Sequence, residues 1–265
     1  MRSTLIGVGV ISLGLAVGFL AVGFFFQMSW AVAWWPWPSS RLSHIFIASV
    51  LAASAVPVIW IGWSREWAAI AAGALDLSVT YLAMAVFSFH TYLQDDSRRP
   101  ILLYAIACSV LGAVCIALFG WSRRIPFKDQ RPLPAGVRVS FLVFILILVM
   151  AGGALVMRQP GVFPWRLGPE QSVLYGWVFL GAAVYFGFSL IRPLWANGCG
   201  QLMGFLAYDL VLIGPFLRHF GKVDPALWIN LVVYTTVLAY SALVASYYLF
   251  IHPPTRMTRR DSPPR

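Results

Sequence analysis

Charge is what this 265-residue chain has least of. Only 11% of its residues are Asp, Glu, Lys or Arg, against 60% hydrophobic, and the acids number nine. So few charged positions could not cover the surface of a soluble domain of this size, which excludes that class and leaves lipid as the main solvent. Cysteine is scarce as well. Cys108 and Cys115 lie in one apolar run and Cys199 opens another, so there is no disulfide framework, and all three read as small packing residues. Absent too are G-x-S-x-G, a P-loop, acids paired at fixed spacing and Cys-Cys or His-His metal signatures, so the chain reads as a non-enzyme with no cofactor.

What is present is long apolar runs. A hydrocarbon layer about 30 Å thick takes about 20 residues of helix. Eight stretches satisfy this, near 4–27, 43–63, 67–91, 100–121, 138–158, 171–192, 199–218 and 227–251, and predict an all-α integral membrane protein with eight transmembrane helices. The first run is too long for the apolar core of a signal peptide and is expected to stay as an anchor, although Ala31-Val-Ala33 resembles a cleavage site.

The net charge of +10 does not point to nucleic acid, because the basic residues sit between apolar spans and at the C-terminus, where topology and anionic lipid account for them. With the N-terminus placed in the cytoplasm, that side holds twelve of the nineteen Lys and Arg residues, among them Arg65, Arg123, Arg124, Lys128, Arg131, Arg138 and Arg192. Both termini are therefore expected inside a bacterial inner membrane, with a basic disordered tail over 253–265 near lipid headgroups.

The chain also matches itself at a shift of 128 residues: Pro36/Pro164, Trp37/Trp165, Val50/Val178, Ala55/Ala183, Val56/Val184 and Trp67/Trp195 coincide. The expectation is two four-helix repeats, 1–127 and 128–252. Four spans return the chain to its starting side, so the repeats have parallel topology. At Trp35-Pro36-Trp37 and Phe163-Pro164-Trp165, with Ser54-Ala-Val-Pro-Val-Ile-Trp-Ile-Gly62 and Gly176-Trp-Val-Phe-Leu-Gly-Ala-Ala183 after them, the chain resembles a family of uncharacterised bacterial multi-pass membrane proteins. In that family an F-P-W motif precedes a small-residue-rich span in each half. The resemblance covers roughly half of the chain, departs from the pattern at Trp35, and implies an architecture without catalytic residues.

Two carboxyls stand out. Asp76 and Asp209 each lie near the centre of the third span of their half, and an ionisable group at such depth is a functional candidate by default. Parallel repeats would let the two face each other. Gly214-Pro215 after Asp209 is the kind of helix break that lines transporter sites. These four residues define the first functional expectation, a proton- or cation-linked small-solute permease. The alternative is a non-catalytic scaffold or accessory subunit of a membrane complex, in which the acids fix helix packing and a membrane protein is the partner. His44, His90 and His219 gather at the outer ends of their spans as candidate metal ligands or proton relays, without the i, i+4 spacing of a local metal motif, and too near the membrane edge for haem. Trp30, Trp34, Trp35 and Trp37 are expected to form an outer interfacial belt, and Gly14-x-x-x-Gly18 and Gly200-x-x-x-Gly204 internal packing faces.

Overall fold

The computed structural model describes residues 2–257. Eight helices in it are long and apolar enough to cross a membrane, so the chain is a multi-pass membrane protein. They are α1 (Arg2–Phe25), α3 (Arg41–Ser64), α4 (Ile70–Gln94), α5 (Arg99–Ser122), α6 (Ala135–Val156), α7 (Pro169–Ile191), α8 (Trp195–His219) and α9 (Trp228–Ser246), with a single turn, α2 (Ser29–Val32), after the first. Each forms because in hydrocarbon the backbone can satisfy its own donors and acceptors only within a helix or a closed barrel. Their ends are set locally. Ser40 caps α3 by accepting the Ser43 amide, proline occupies the first turn of α5 and α7, and Arg65 and Arg158 end their helices in the left-handed region at φ 59° and 58°.

The start of α8 lies four residues before the expected 199, and the α-helix α9 gives way after Ser246 to a π-helical turn, Tyr247–Ile251, that completes the expected span. Trp195-Ala-Asn-Gly198, outside the expected span, has all four residues buried. The Asn197 amide donates to the Arg192 carbonyl, which ties the start of the helix to the turn before it, while its side-chain oxygen is buried without a hydrogen-bond partner among the described residues.

Consecutive helices pair as the hairpins α1/α3, α4/α5, α6/α7 and α8/α9, and the hairpins then cross: α3 packs on α8, and α4 packs on α7. The neighbours α3 and α4 scarcely meet, and neither do α7 and α8. The N-terminal and C-terminal four helices therefore interlock.

Small residues permit this closeness. Gly7 faces Gly62 across α1 and α3, and Gly152 faces Gly176 across α6 and α7. Gly14 lies on Ala55 and Ile59, and Gly200 on Tyr185, so both small-residue motifs are internal faces. Proline supplies a further contact. Pro57 inside α3 has no N–H, which leaves the Ala53 carbonyl without its helical donor, and Gly204 of α8 is seated on that oxygen: a Cβ there would stand 2.8 Å from it. The orphaned carbonyl is met by the Cα–H of the only residue that can come so near.

All loops fall at two ends of the bundle. At the end carrying the α1 start, buried Glu66 accepts the backbone amides of Lys128 and Asp129, tying the α3–α4 turn to the α5–α6 connector. Arg131 donates to the Pro254 carbonyl there, and Thr255 is buried, so residues 253–257, expected as the start of a loose tail, form a turn against the bundle. The rest of that tail lies outside the described residues. At the opposite end Arg98 makes a two-pronged ion pair with Glu170, at 2.7 and 2.8 Å, and Arg166 pairs with Asp224. The Glu170 carboxylate raises the pKa of Arg98 above its ordinary value.

Candidate functional site

Asp76 sits on α4 where that helix crosses α7. Thr80, one turn on, donates its hydroxyl to Asp76 Oδ1 at 3.3 Å and is 3.4 Å from the Trp177 carbonyl of α7. One hydroxyl has one proton, so these two long contacts share it. Gly181 of α7 presses on the same spot, where a side chain would run into both Thr80 and Asp76. The carboxyl is half-buried at a tight helix crossing.

Asp209 sits on α8 and its partner is on α9. Ser241 donates to Asp209 Oδ2 at 2.8 Å, and Asp209 is 2% exposed. Its other oxygen, Oδ1, is buried and has no hydrogen-bond partner among the described residues. Next to it the Tyr208 hydroxyl bonds that of Tyr234. Tyr234 and Ser241 are seven residues apart and so share one face of α9, which makes two polar clasps between the same two helices.

The two acids therefore do not share a contact. Asp76 belongs to the α4/α7 crossing and Asp209 to the α8/α9 hairpin, where the sequence alone had suggested that they face each other. The physical reason is the crossed packing: the third long helix of each half packs on the second long helix of the other, α4 on α7 and α8 on α3. Gly214-Pro215, expected to break α8, does not interrupt it, since the helix runs on to His219. Gly214 is exposed, and a Cβ on it would meet no neighbouring atom among the described residues within 4 Å.

The aromatic-Pro-Trp segments are the better-built feature, and part of the expected belt turns inward. Trp34 is 73% exposed and Trp30 is exposed too, but Trp37 is 4% exposed. Trp37 packs edge-on against Tyr104 of α5. Trp165 donates its indole N–H to Ser43 Oγ of α3 at 3.0 Å, and Phe163 packs on Phe46 of α3. In return the Gln171 amide of α7 donates to the Pro38 carbonyl and to Ser39 Oγ in the loop after Trp37. At the shift of 128 residues Ser43 corresponds to Gln171, so each half plugs its aromatic segment onto the helix start of the other. Gln171 and Ser241 carry these contacts without having stood out in the sequence. The only signal for Gln171 was its register with Ser43, and Ser241 is one serine in an apolar run.

The histidines separate. His90 is exposed, His44 packs near Phe24, and His219 meets the Pro164 carbonyl at 3.1 Å. Among the described residues no group of three His, Cys, Asp or Glu side chains could hold a metal ion. Comparison of this chain with family models, with curated proteins and with solved structures finds no match.

Proposed function

We propose that this chain is a non-catalytic membrane scaffold, or the accessory subunit of a membrane complex, whose intramembrane acids support its helix packing. The observation that carries this reading is the assignment of each carboxyl to its own place in the packing: Asp76 accepts from Thr80 of its own helix where α4 meets α7, and Asp209 accepts from Ser241 across α8/α9. A pair of acids serving one transported ion would be expected to converge on a common polar space. An interhelical hydrogen bond such as that between Asp209 and Ser241 contributes roughly 0.6 to 1.7 kcal/mol in a bilayer, enough to fix the register of the α8/α9 hairpin.

The same reading takes the halves as two four-helix repeats of parallel topology, resembling the F-P-W proteins in architecture. It is supported by the pairing scheme, in which α1/α3 corresponds to α6/α7, α4/α5 to α8/α9, and α3/α8 to α7/α4. The excess of Lys and Arg at the end that carries the α1 start supports a cytoplasmic location for that end in a bacterial inner membrane. Its partners are then the bilayer and another membrane protein.

A second reading, the proton- or cation-linked permease, is favoured by one observation: Asp209 Oδ1 is buried without a donor. A polar atom left so is costly and asks for a reason. Reconstitution separates the two readings. In proteoliposomes under a pH or sodium gradient the scaffold gives no flux above empty vesicles, and Asp76→Asn and Asp209→Asn change nothing. Gradient-driven flux abolished by either substitution would establish the permease.

A further inference from the structure

The α5–α6 connector and the segment after α9 enclose a recess that the helix-packing account does not use. Its volume is about 460 Å³, and Arg131, Leu133, Pro134, Arg138, His252 and Thr255 contribute to its lining, with no acidic residue among the described lining side chains. It lies at the end of the bundle rich in Lys and Arg, beside the first turn of α6 and the last turns of the α9 region.

The groups around it are held in place. Arg138 donates its Nε–H to the Leu133 carbonyl at 2.9 Å, which fixes the guanidinium and leaves both terminal nitrogens without a hydrogen-bond partner among the described residues. His252 Nδ1 is 2.9 Å from Thr255 Oγ1, so the ring is anchored on one side. The Arg131 guanidinium is held by Asp129 and by the Pro254 carbonyl, and contributes a fixed positive edge. Pro134 precedes α6 without a side-chain cap, so the open end of that helix adds partial positive charge to the same place. Proline and leucine side chains form the remaining wall.

We infer that this recess binds the phosphate group of an anionic phospholipid. Guanidinium groups recognise phosphate through paired N–H donors, and basic recesses between transmembrane helices on the cytoplasmic side are suited to lipid headgroups. A lipid is favoured over free phosphate because the basic groups share the recess with Pro132, Leu133, Pro134, Ala135 and Pro254, apolar surface that a glycerol backbone can cover and an inorganic ion cannot. The site is independent of whether the protein is a scaffold or a permease.

The test is native mass spectrometry of the full-length protein released from nanodiscs containing equal phosphatidylglycerol and phosphatidylcholine, with and without millimolar inorganic phosphate. The wild type should retain phosphatidylglycerol selectively. Arg138→Gln should retain about tenfold less, the loss of one charge-assisted contact of about 1.4 kcal/mol, Arg138→Lys should recover part of it, and His252→Gln should weaken it. Arg124→Gln, exposed at the same end but outside the recess, should match the wild type. Melting temperatures identify any variant that misfolds, and Arg138→Lys keeps the proposal open to refutation in that event. Equal retention by Arg138→Gln and Arg124→Gln would overturn the site, and displacement of the lipid by inorganic phosphate would overturn the lipid as its occupant.

Discussion

Ser241 is the only hydrogen-bond partner of the Asp209 carboxyl among the described residues, and the two residues lie on different helices. The serine hydroxyl stands 2.8 Å from Asp209 Oδ2, 2.9 Å from the Val237 carbonyl and 3.1 Å from the Leu238 carbonyl. A single proton serves three acceptors, so the contact with the carboxyl competes with bonding back to the serine's own helix. An amide at position 209 could donate to the serine oxygen and relieve that competition. Asp209→Asn is therefore expected to be tolerated, within about 0.5 kcal/mol of the wild type in reversible unfolding, while Asp209→Ala loses about 1 kcal/mol. Equal losses for both would remove the hydrogen bond as the reason for the residue.

The crossing of α3 and α8 rests on Gly204. Gly204→Ala places a methyl group 2.8 Å from the backbone oxygen of Ala53, which cannot move aside as a flexible side chain would. A destabilisation of about 1 to 3 kcal/mol is expected. Gly214→Ala, on the same helix with open space around it, is expected to be neutral or stabilising by up to about 1 kcal/mol, since alanine favours the helix. Thermal unfolding in detergent checks both, and a Gly214→Ala loss as large as that of Gly204→Ala would contradict the packing described.

The aromatic segments make a similar contrast. Trp165→Phe removes the indole N–H that binds buried Ser43 and leaves that hydroxyl with Ser40 as its remaining partner, at a cost of about 0.5 to 1.5 kcal/mol. Trp34→Phe alters an exposed ring and should leave the unfolding midpoint unchanged. If the two substitutions are equivalent, Trp165 is an interfacial anchor and no plug.

Length and hydropathy made the eight helices legible in the sequence, because the bilayer fixes both. Also legible were the two acids, since Asp76 and Asp209 are rare residues in such runs, and the tight contacts of Gly14 and Gly200. Hidden was which helix each of them faces. An apolar helix in lipid is apolar on every side, so periodicity does not mark the face that packs. Crossed pairing of α3 with α8 and α4 with α7 could not be read for that reason, nor could the inward turn of Trp37, which shares its composition with the exposed Trp34. Pro57 was readable as a residue but not as a donor-free site filled by Gly204 from a helix more than a hundred residues away.

Asp224, at the membrane-external turn before α9, gives a pH signature. The Ala226 amide and, after it, Arg166 hold its carboxyl below the ordinary value. A depressed pKa stabilises above the unfolded value of about 3.9 and is lost as the pH falls through the folded one. Hydrogen exchange, corrected for intrinsic rates, should show protection of the Ala226 amide falling as the pH drops below about 4, and Asp224→Asn should abolish that dependence. A protection factor flat from pH 6 to pH 3 would show that the carboxylate does not cap the turn.

The central claim, that the two intramembrane acids work in separate helix contacts, is tested most directly by two double-mutant cycles in bilayers. Asp209→Ala, which removes the carboxyl, is combined with Ser241→Ala in one and with Asp76→Ala in the other. The account predicts a coupling of roughly 0.6 kcal/mol or more in the first and additivity within about 0.5 kcal/mol in the second. Coupling between Asp76 and Asp209, with none between Asp209 and Ser241, would contradict it.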